Sequence, residues 1–136
     1  MLKTIMVAIV ATFAMTGMVQ AQQLPAAANQ TANIKRTPLQ KFDVPGTNLE
    51  TVIPIAEIVP NVMIGKHTHP GVEGAYIVEG ELTLMVDGQP AKVVKAGDSY
   101  NVPLAAPHDA KTGPNGAKVL VTYVVEKGKP LASPAP

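Results

Sequence analysis

Prolines and glycines interrupt this chain at short intervals, and these interruptions limit the folds that it can adopt. The 136 residues include 13 Pro and 11 Gly. Between them lie short runs rich in Val, Ile and Thr, which favour strands over helices. The sequence contains no internal repeat and no convincing amphipathic helix, and its length fits one domain. It therefore predicts an all-β fold, either a sandwich or a barrel.

The pattern of runs and breaks predicts individual strands. We expect an edge strand over 34–42, where Pro38 interrupts the run, and an edge or a bend at Pro54 within a strand over 49–59. Gly80 is expected to end a strand, and Asp87-Gly88 to form a hairpin turn. The other predicted strands cover 62–69, 75–78, 82–86, 91–95, 99–102, a short segment at His108 and 118–126, with turns at 96–98 and 113–116.

The start of the chain resembles a secretory signal peptide. In residues 1–21, Lys3 precedes an apolar run over 5–19, and Val19-Gln20-Ala21 forms a small-residue cleavage site. The alternative is an uncleaved membrane anchor, but the run is shorter than the roughly 20 apolar residues that a membrane span needs. We expect cleavage, release into the periplasm or the medium, and no stable membrane anchor.

Composition also divides the remainder of the chain. We expect 22–48 to be a flexible N-terminal segment that includes the edge strand, because Gln, Ala, Asn and Pro without periodicity dominate its start. Residues 49–127 are expected to form the folded domain. The segment 128–136 is rich in Pro and Ala and is expected to be a disordered tail.

Charge and cysteine content exclude several functions. The formal net charge is +1 and becomes zero without Lys3, because 10 basic residues then face 10 acidic ones. Without a basic stripe or a tryptophan, nucleic acid is not an expected partner. The absence of cysteine excludes disulfides, thiolate metal sites and a cysteine nucleophile.

The three histidines of the chain lie where they could share one site. His67 and His69 are two apart, so both side chains leave a strand on the same face. Glu73 follows after a Pro70-Gly71 turn signal, which would fold its carboxylate back toward them. His108 lies in a later segment. A lone His-x-His is often an unrelated surface pair, but two imidazoles and a carboxylate at one point form a first-row transition-metal site.

These residues resemble two motifs of the cupin superfamily, in particular the small single-domain bacterial cupins of type 2. The first motif, G-x5-H-x-H-x(3,4)-E-x6-G, is matched at His67, His69, Glu73 and Gly80, although its leading Gly falls on Asn61. The second, G-x5-P-x-G-x2-H-x3-N, is matched at Gly97, Pro103 and His108, with Ala105 and Thr112 in place of Gly and Asn. The departures affect a turn and a structural position, and no ligand position is lost.

The resemblance implies a fold and a metal centre. The fold would be the cupin double-stranded β-helix, a small jelly-roll barrel. Its metal ligands would be His67, His69, Glu73 and His108, holding one divalent transition metal, Fe, Mn, Ni, Cu or Zn. Tyr76 and Tyr100 lie near the motifs and are pocket candidates, although a half-buried strand tyrosine is more often packing. Cupins commonly form homodimers through sheet edges, and 34–42 is the candidate segment for that contact.

Two classes of function stay open at this point. The first is a metal-dependent enzyme, a dioxygenase-type oxidoreductase acting on a small oxygenated organic molecule such as a catecholate, an enediol or a diketone, or an isomerase if the ion is Zn or Mn. The second is a non-catalytic periplasmic module that binds a metal or a small ligand. A structural or interaction protein that uses the barrel edge is a third. The cupin fold by itself does not choose among them.

Overall fold

A computed structural model describes residues 32–136 of the chain. The predicted signal peptide over 1–21 and most of the linker after it lie outside this range. The regular elements are eight strands: β1 (Ile34–Asp43), β2 (Leu49–Ile58), β3 (His67–Thr68), β4 (Gly71–Val86), β5 (Lys92–Lys95), β6 (Ser99–Val102), β7 (His108–Glu126) and β8 (Ser133–Pro134). The prediction of an all-β fold of the cupin jelly-roll type is confirmed. Within 32–136, no helix is long and apolar enough to cross a membrane.

Two long strands, β4 and β7, form the centre of one curled, antiparallel sheet. They pair with each other over nearly their whole length. On its other side β4 pairs with β5 and β6. On its other side β7 pairs with β2 and β3, and these pair in turn with β1 and β8, respectively. The inner face of the sheet buries an apolar core in which Ile77, Leu82, Val94, Val119 and Val125 are almost fully enclosed. Burying each such side chain contributes roughly 1.5–3 kcal/mol.

Both long strands bend at the same level, and this bend keeps one face of each strand turned inward. In β4 the buried positions change from odd to even between Ile77 and Leu82, and in β7 they change from even to odd between Thr112 and Ala117. The β4–β7 register shifts at this point, as it does at β-bulges. Gly80 supplies the positive φ of 75° that the bend in β4 requires.

Three of the predicted chain breaks differ from the structure. Gly80 does not end a strand, and 113–116 does not form a turn between strands, because both segments are bulges within continuous strands. Glycine occurs in both turns and bulges, so its presence alone does not distinguish the two. Pro54 does not mark an edge, because β2 pairs with β1 on one side and with β7 on the other. The pairing with β7 is interrupted at Ile53 and Pro54.

The predicted ligand strand over 62–69 is wrong for most of its length. Regular pairing is confined to His67–Thr68, together with an isolated bridge between Met63 and Lys111. Left-handed backbone at Asn61 (φ 57°) and Gly65 (φ 97°) turns the chain away from an extended path. The edge strand over 34–42 is confirmed as β1, which pairs with β2 alone among the described strands and shifts register after Pro38.

The end of the chain, predicted to be disordered over 128–136, is instead docked beside the ligand segment. Strand β8 pairs with β3 through Pro134 opposite His67 and Ser133 opposite Thr68. The Ala135 amide donates a hydrogen bond to the Lys66 carbonyl at 3.0 Å, and Leu131 packs against the apolar core. These contacts supply the order that composition alone does not predict.

Candidate metal centre

The four side chains predicted as metal ligands lie together on the inner face of the sheet. His67 in β3 is the cross-strand partner of His108, the first residue of β7. Their ring centroids are 4.3 Å apart, and the His69 ring lies 4.9 Å from the His67 ring and 5.1 Å from the His108 ring. One ring nitrogen from each histidine lies within 4.8 Å of the others, so the three could hold one metal ion. Glu73 reaches the cluster from β4.

Backbone carbonyls fix the orientation of all three imidazoles. The Nδ1 atoms of His67, His69 and His108 lie 2.7, 2.6 and 2.9 Å from the carbonyl oxygens of Gly65, Leu131 and Ala106. A carbonyl oxygen only accepts, so each Nδ1 carries the proton and donates it. Each Nε2 then presents a lone pair, and this is the tautomer that a metal-binding histidine needs.

Glu73 divides its two carboxylate oxygens between two tasks. Oε1 accepts a hydrogen bond from the Tyr100 hydroxyl at 3.0 Å. Oε2 faces the imidazoles and lies 2.8 Å from Nε2 of His69 and 3.5 Å from Nε2 of His108. The carboxylate is 6% exposed, so it is held by these neighbours rather than by solvent.

One buried nitrogen in the cluster lacks a hydrogen-bond partner. Nε2 of His69 is enclosed and makes no hydrogen bond with the described residues, because its short approach to Glu73 lacks hydrogen-bond geometry. A lone pair facing a carboxylate oxygen without a proton between them is unfavourable, and buried polar atoms are seldom left unpaired. A cation between the two atoms would satisfy both. The residues therefore fit a divalent metal ion.

The charges of the cluster match the same interpretation. Burial alone would raise the pKa of Glu73, but the facing His108 and His69 rings outweigh it and lower that pKa from 4.5 to about 2. Burial lowers the pKa of His67. For His108, contact with Glu73 outweighs burial and raises its pKa. The centre thus holds one ionised carboxylate beside imidazoles, the donor set that suits a borderline divalent ion.

The three residues that depart from the two motifs keep the backbone angles or form the hydrogen bonds of the segments around the ligands. Asn61 and Ala105, which occupy motif glycines, both have positive φ, 57° and 52°. The backbone angle that glycine favours is thus kept without glycine. Thr112, in place of the motif Asn, donates to the Val59 carbonyl at 2.8 Å and accepts from the Val62 amide at 3.0 Å.

A cavity of about 40 Å³ adjoins the metal centre. By the measure of roughly 10–15 Å³ for one water it has room for about three. Of the two predicted pocket tyrosines, Tyr100 lines this cavity, whereas Tyr76 lies outside it with 46% of its surface exposed. The polar lining consists of Arg36, Tyr123, Tyr100 and the ligands His67, Glu73 and His108, and the remainder is apolar.

Three contributors to the site were not foreseen from the sequence. Tyr123 packs its ring 4.6 Å from that of His69, and its inward position could have been found from the alternation of Val119, Val121 and Tyr123. Arg36 shares a face of β1 with buried Ile34. The Leu131 contribution is a backbone carbonyl, for which residue type gives no signal.

Known proteins that resemble this chain share its fold. A family profile described as the cupin domain, Cupin_2, matches residues 54–125, more than half of the chain. No curated protein sequence matches it. The DMSP lyase DddQ from Ruegeria pomeroyi DSS-3 superposes with a TM-score of 0.68 at 18% identity, over 82% of this chain and 56% of the lyase. This chain therefore spans little more than half of that lyase.

Two further structures are more similar in sequence. The polyketide cyclase RemF from Streptomyces resistomycificus has a TM-score of 0.57 at 26% identity, over 71% of this chain and 68% of the cyclase. An RmlC-like cupin from Shewanella frigidimarina NCIMB 400 has a TM-score of 0.51 at 26% identity, over 65% of this chain and 86% of that protein.

Proposed function

The chain belongs to the cupin domain family, and on that premise we propose that it is a metal-dependent enzyme acting on a small oxygenated organic molecule. Its ligands are His67, His69, Glu73 and His108, and they hold one divalent ion. The observation that carries the proposal is the unpaired, buried Nε2 of His69 beside Glu73. All three Nδ1 atoms donate to carbonyls, so the Nε2 lone pairs are left for the ion.

The donor set restricts the ion but does not select one. Imidazole and carboxylate without thiolate suit Fe, Mn, Ni, Cu or Zn. When bound by these residues, such an ion would supply Lewis-acid chemistry toward a substrate oxygen atom, and a redox-active ion would supply oxidation chemistry as well. Tyr100 fixes the Glu73 carboxylate through its hydrogen bond. The remainder of the cavity lining is apolar, and such low-polarity surroundings strengthen charge interactions beside them.

The reaction class depends on the ion. With Fe, Mn, Ni or Cu, we propose a dioxygenase-type oxidation of a bidentate oxygen ligand. With Zn, we propose isomerisation without a change of oxidation state. Oxygen uptake with small enediols and diketones that fit the cavity separates the two, and no turnover of these compounds with any loaded ion would refute the enzyme proposal.

A second candidate is a module that holds a metal or small ligand without turnover. The size of the cavity favours it, because about 40 Å³ admits a ligand of only a few heavy atoms. The elements of the described chain are strands alone, and none forms a lid. Tight retention of an ion and ligand, with neither consumed, would favour this candidate over the enzyme.

Elemental analysis of protein purified without chelator or His tag tests the metal centre itself. We expect near-stoichiometric metal in the wild type and its loss in the double variant His67→Ala/His108→Ala. Thr68→Ala, which changes the residue between two ligands, is the matched control and should keep the ion. Absence of metal after reconstitution with each candidate ion would refute the site.

We also propose a setting for the protein. The signal-like residues 1–21 support export to the periplasm or the medium, and the even balance of charges argues against a nucleic-acid partner. Within residues 32–136, strand β1 forms an open edge with nine of its ten residues exposed, and this supports a homodimer through β1. Light scattering of the purified protein measures that state, and a monomer at all concentrations would refute the homodimer.

A further inference from the structure

Arg36, an exposed residue of the edge strand β1, lines the cavity that adjoins the metal centre. Side chains alternate along a strand, so Arg36 shares the face of Ile34, which is buried and lines the same cavity. The neighbouring Lys35 lies on the opposite face, where it forms an ion pair with Glu57 at 3.2 Å. Arg36 is thus the basic residue of β1 that the fold directs at the cavity.

The surroundings of Arg36 leave room for its guanidinium beside the site. Its cross-strand partner is Ala56, a small residue that also lines the cavity. The guanidinium lies close to Tyr123, where it acts to lower the pKa of that phenol against the larger upward effect of burial. Tyr123 in turn packs on the ring of His69. Arg36 is therefore connected to a metal ligand through one side chain.

No carboxylate in residues 32–136 pairs with Arg36. It is absent from the ion pairs of that region, and Glu73 is the one carboxylate lining the cavity. Glu73 is already engaged by Tyr100 and the imidazoles. With a divalent ion in place, the cavity would carry a net positive charge, which attracts an anionic ligand.

We propose that Arg36 and the metal centre together bind a small carboxylate anion, with the carboxylate on the guanidinium and a second oxygen toward the ion. The inference rests on the proposed function and narrows its substrate class to short oxygenated acids. The guanidinium fork matches a carboxylate in two parallel hydrogen bonds. The cavity of about 40 Å³ restricts such an acid to a few heavy atoms, as in a short 2-hydroxy or 2-oxo acid.

Calorimetric titration of zinc-loaded protein tests this pairing with glycolate and its neutral analogue glycolamide as probes. Zinc is chosen because it undergoes no redox change and keeps the probe intact. We expect Arg36→Gln to weaken glycolate binding by roughly tenfold or more, the size of a lost charge-assisted hydrogen bond, and to leave glycolamide binding unchanged. Arg36→Lys should keep part of the affinity, because it retains charge without the fork.

Lys35→Gln is the matched control, since it removes a positive charge from the adjacent position on the outer face of β1. It should bind glycolate as the wild type does. Zinc content and circular dichroism are measured for every variant. Equal glycolate affinity in zinc-loaded wild type and Arg36→Gln, or no glycolate binding by zinc-loaded wild type, overturns the inference alone. Failure of the wild type to take up zinc overturns the proposed function and this inference with it.

Discussion

The last residues of the chain orient one of the metal ligands, so their removal should weaken metal binding. Ending the chain at Lys129 would remove the Leu131 carbonyl, which accepts from His69 Nδ1 at 2.6 Å. It would also remove strand β8 from its pairing with β3. His67 would keep its own carbonyl partner, Gly65. The deletion therefore affects the support of His69 more directly than that of the other ligands.

The expected loss of metal affinity is moderate, because the Leu131 carbonyl hydrogen-bonds to the ligand His69 and does not itself bind the ion. Loss of such a supporting partner costs roughly 10–100-fold in metal affinity, which is about 1.4–2.8 kcal/mol. His69 is only 4% exposed, so its Nδ1 donor would be left buried until water enters. We therefore expect the shortened chain to bind zinc roughly 10–100-fold more weakly than the wild type and to keep its strand content.

Competition with a chromophoric chelator measures the zinc affinity, and circular dichroism measures the fold. Leu131→Ala is the control, because it removes the packed side chain and keeps the carbonyl. It should melt at a lower temperature and bind zinc nearly as the wild type does. A folded chain ending at Lys129 with wild-type zinc affinity would refute the assigned role of the Leu131 carbonyl.

Three further outcomes are expected. Tyr100→Phe removes the hydrogen bond that holds Glu73 and should weaken zinc binding roughly tenfold in the same chelator assay; unchanged affinity would contradict this. Zinc affinity should be full at alkaline pH and fall as pH drops, beginning at the raised pKa of His108, because protons then compete for Nε2; pH-independent affinity would contradict it. Gly80→Ala should lower the free energy of unfolding in urea by more than the roughly 1–2 kcal/mol that a left-handed alanine costs, because its Cβ would collide with a backbone carbonyl. Gly88→Ala is the control, because its φ of 77° is similar but its Cβ meets open space. Equal losses of unfolding free energy in the two variants would contradict this.

The fold and the four candidate ligands could be predicted because side-chain chemistry and spacing encode them. Histidine occurs only three times in the sequence, and the motif intervals connect His67, His69 and His108 with Glu73. The route of the backbone between them is encoded less directly. The segment 62–69 has the composition of a strand, but its path is set by two left-handed residues and by pairing with β7.

Other features depend on contacts that no local pattern contains. Gly80 has the same local signature in a turn and in a bulge, and the partner strand decides between them. The tail from 128 consists mainly of Gly, Pro and Ala, with Leu131 as its one large apolar residue, yet it is ordered by pairing with β3 and by the packing of Leu131. From the sequence, Arg36 would be predicted to be an ordinary surface cation. Only the curl of the sheet, which is not encoded locally, places it at the cavity.

The long sequence intervals inside the metal centre govern when it forms during folding. His67 pairs with His108, and His69 is held by Leu131, so the complete centre requires contacts across 41 and 62 residues of chain. Closing such loops is slow and follows local structure formation. An unfolded chain offers an ion only His67, His69 and Glu73 nearby. Metal should therefore slow the unfolding of the finished domain rather than guide the chain toward it.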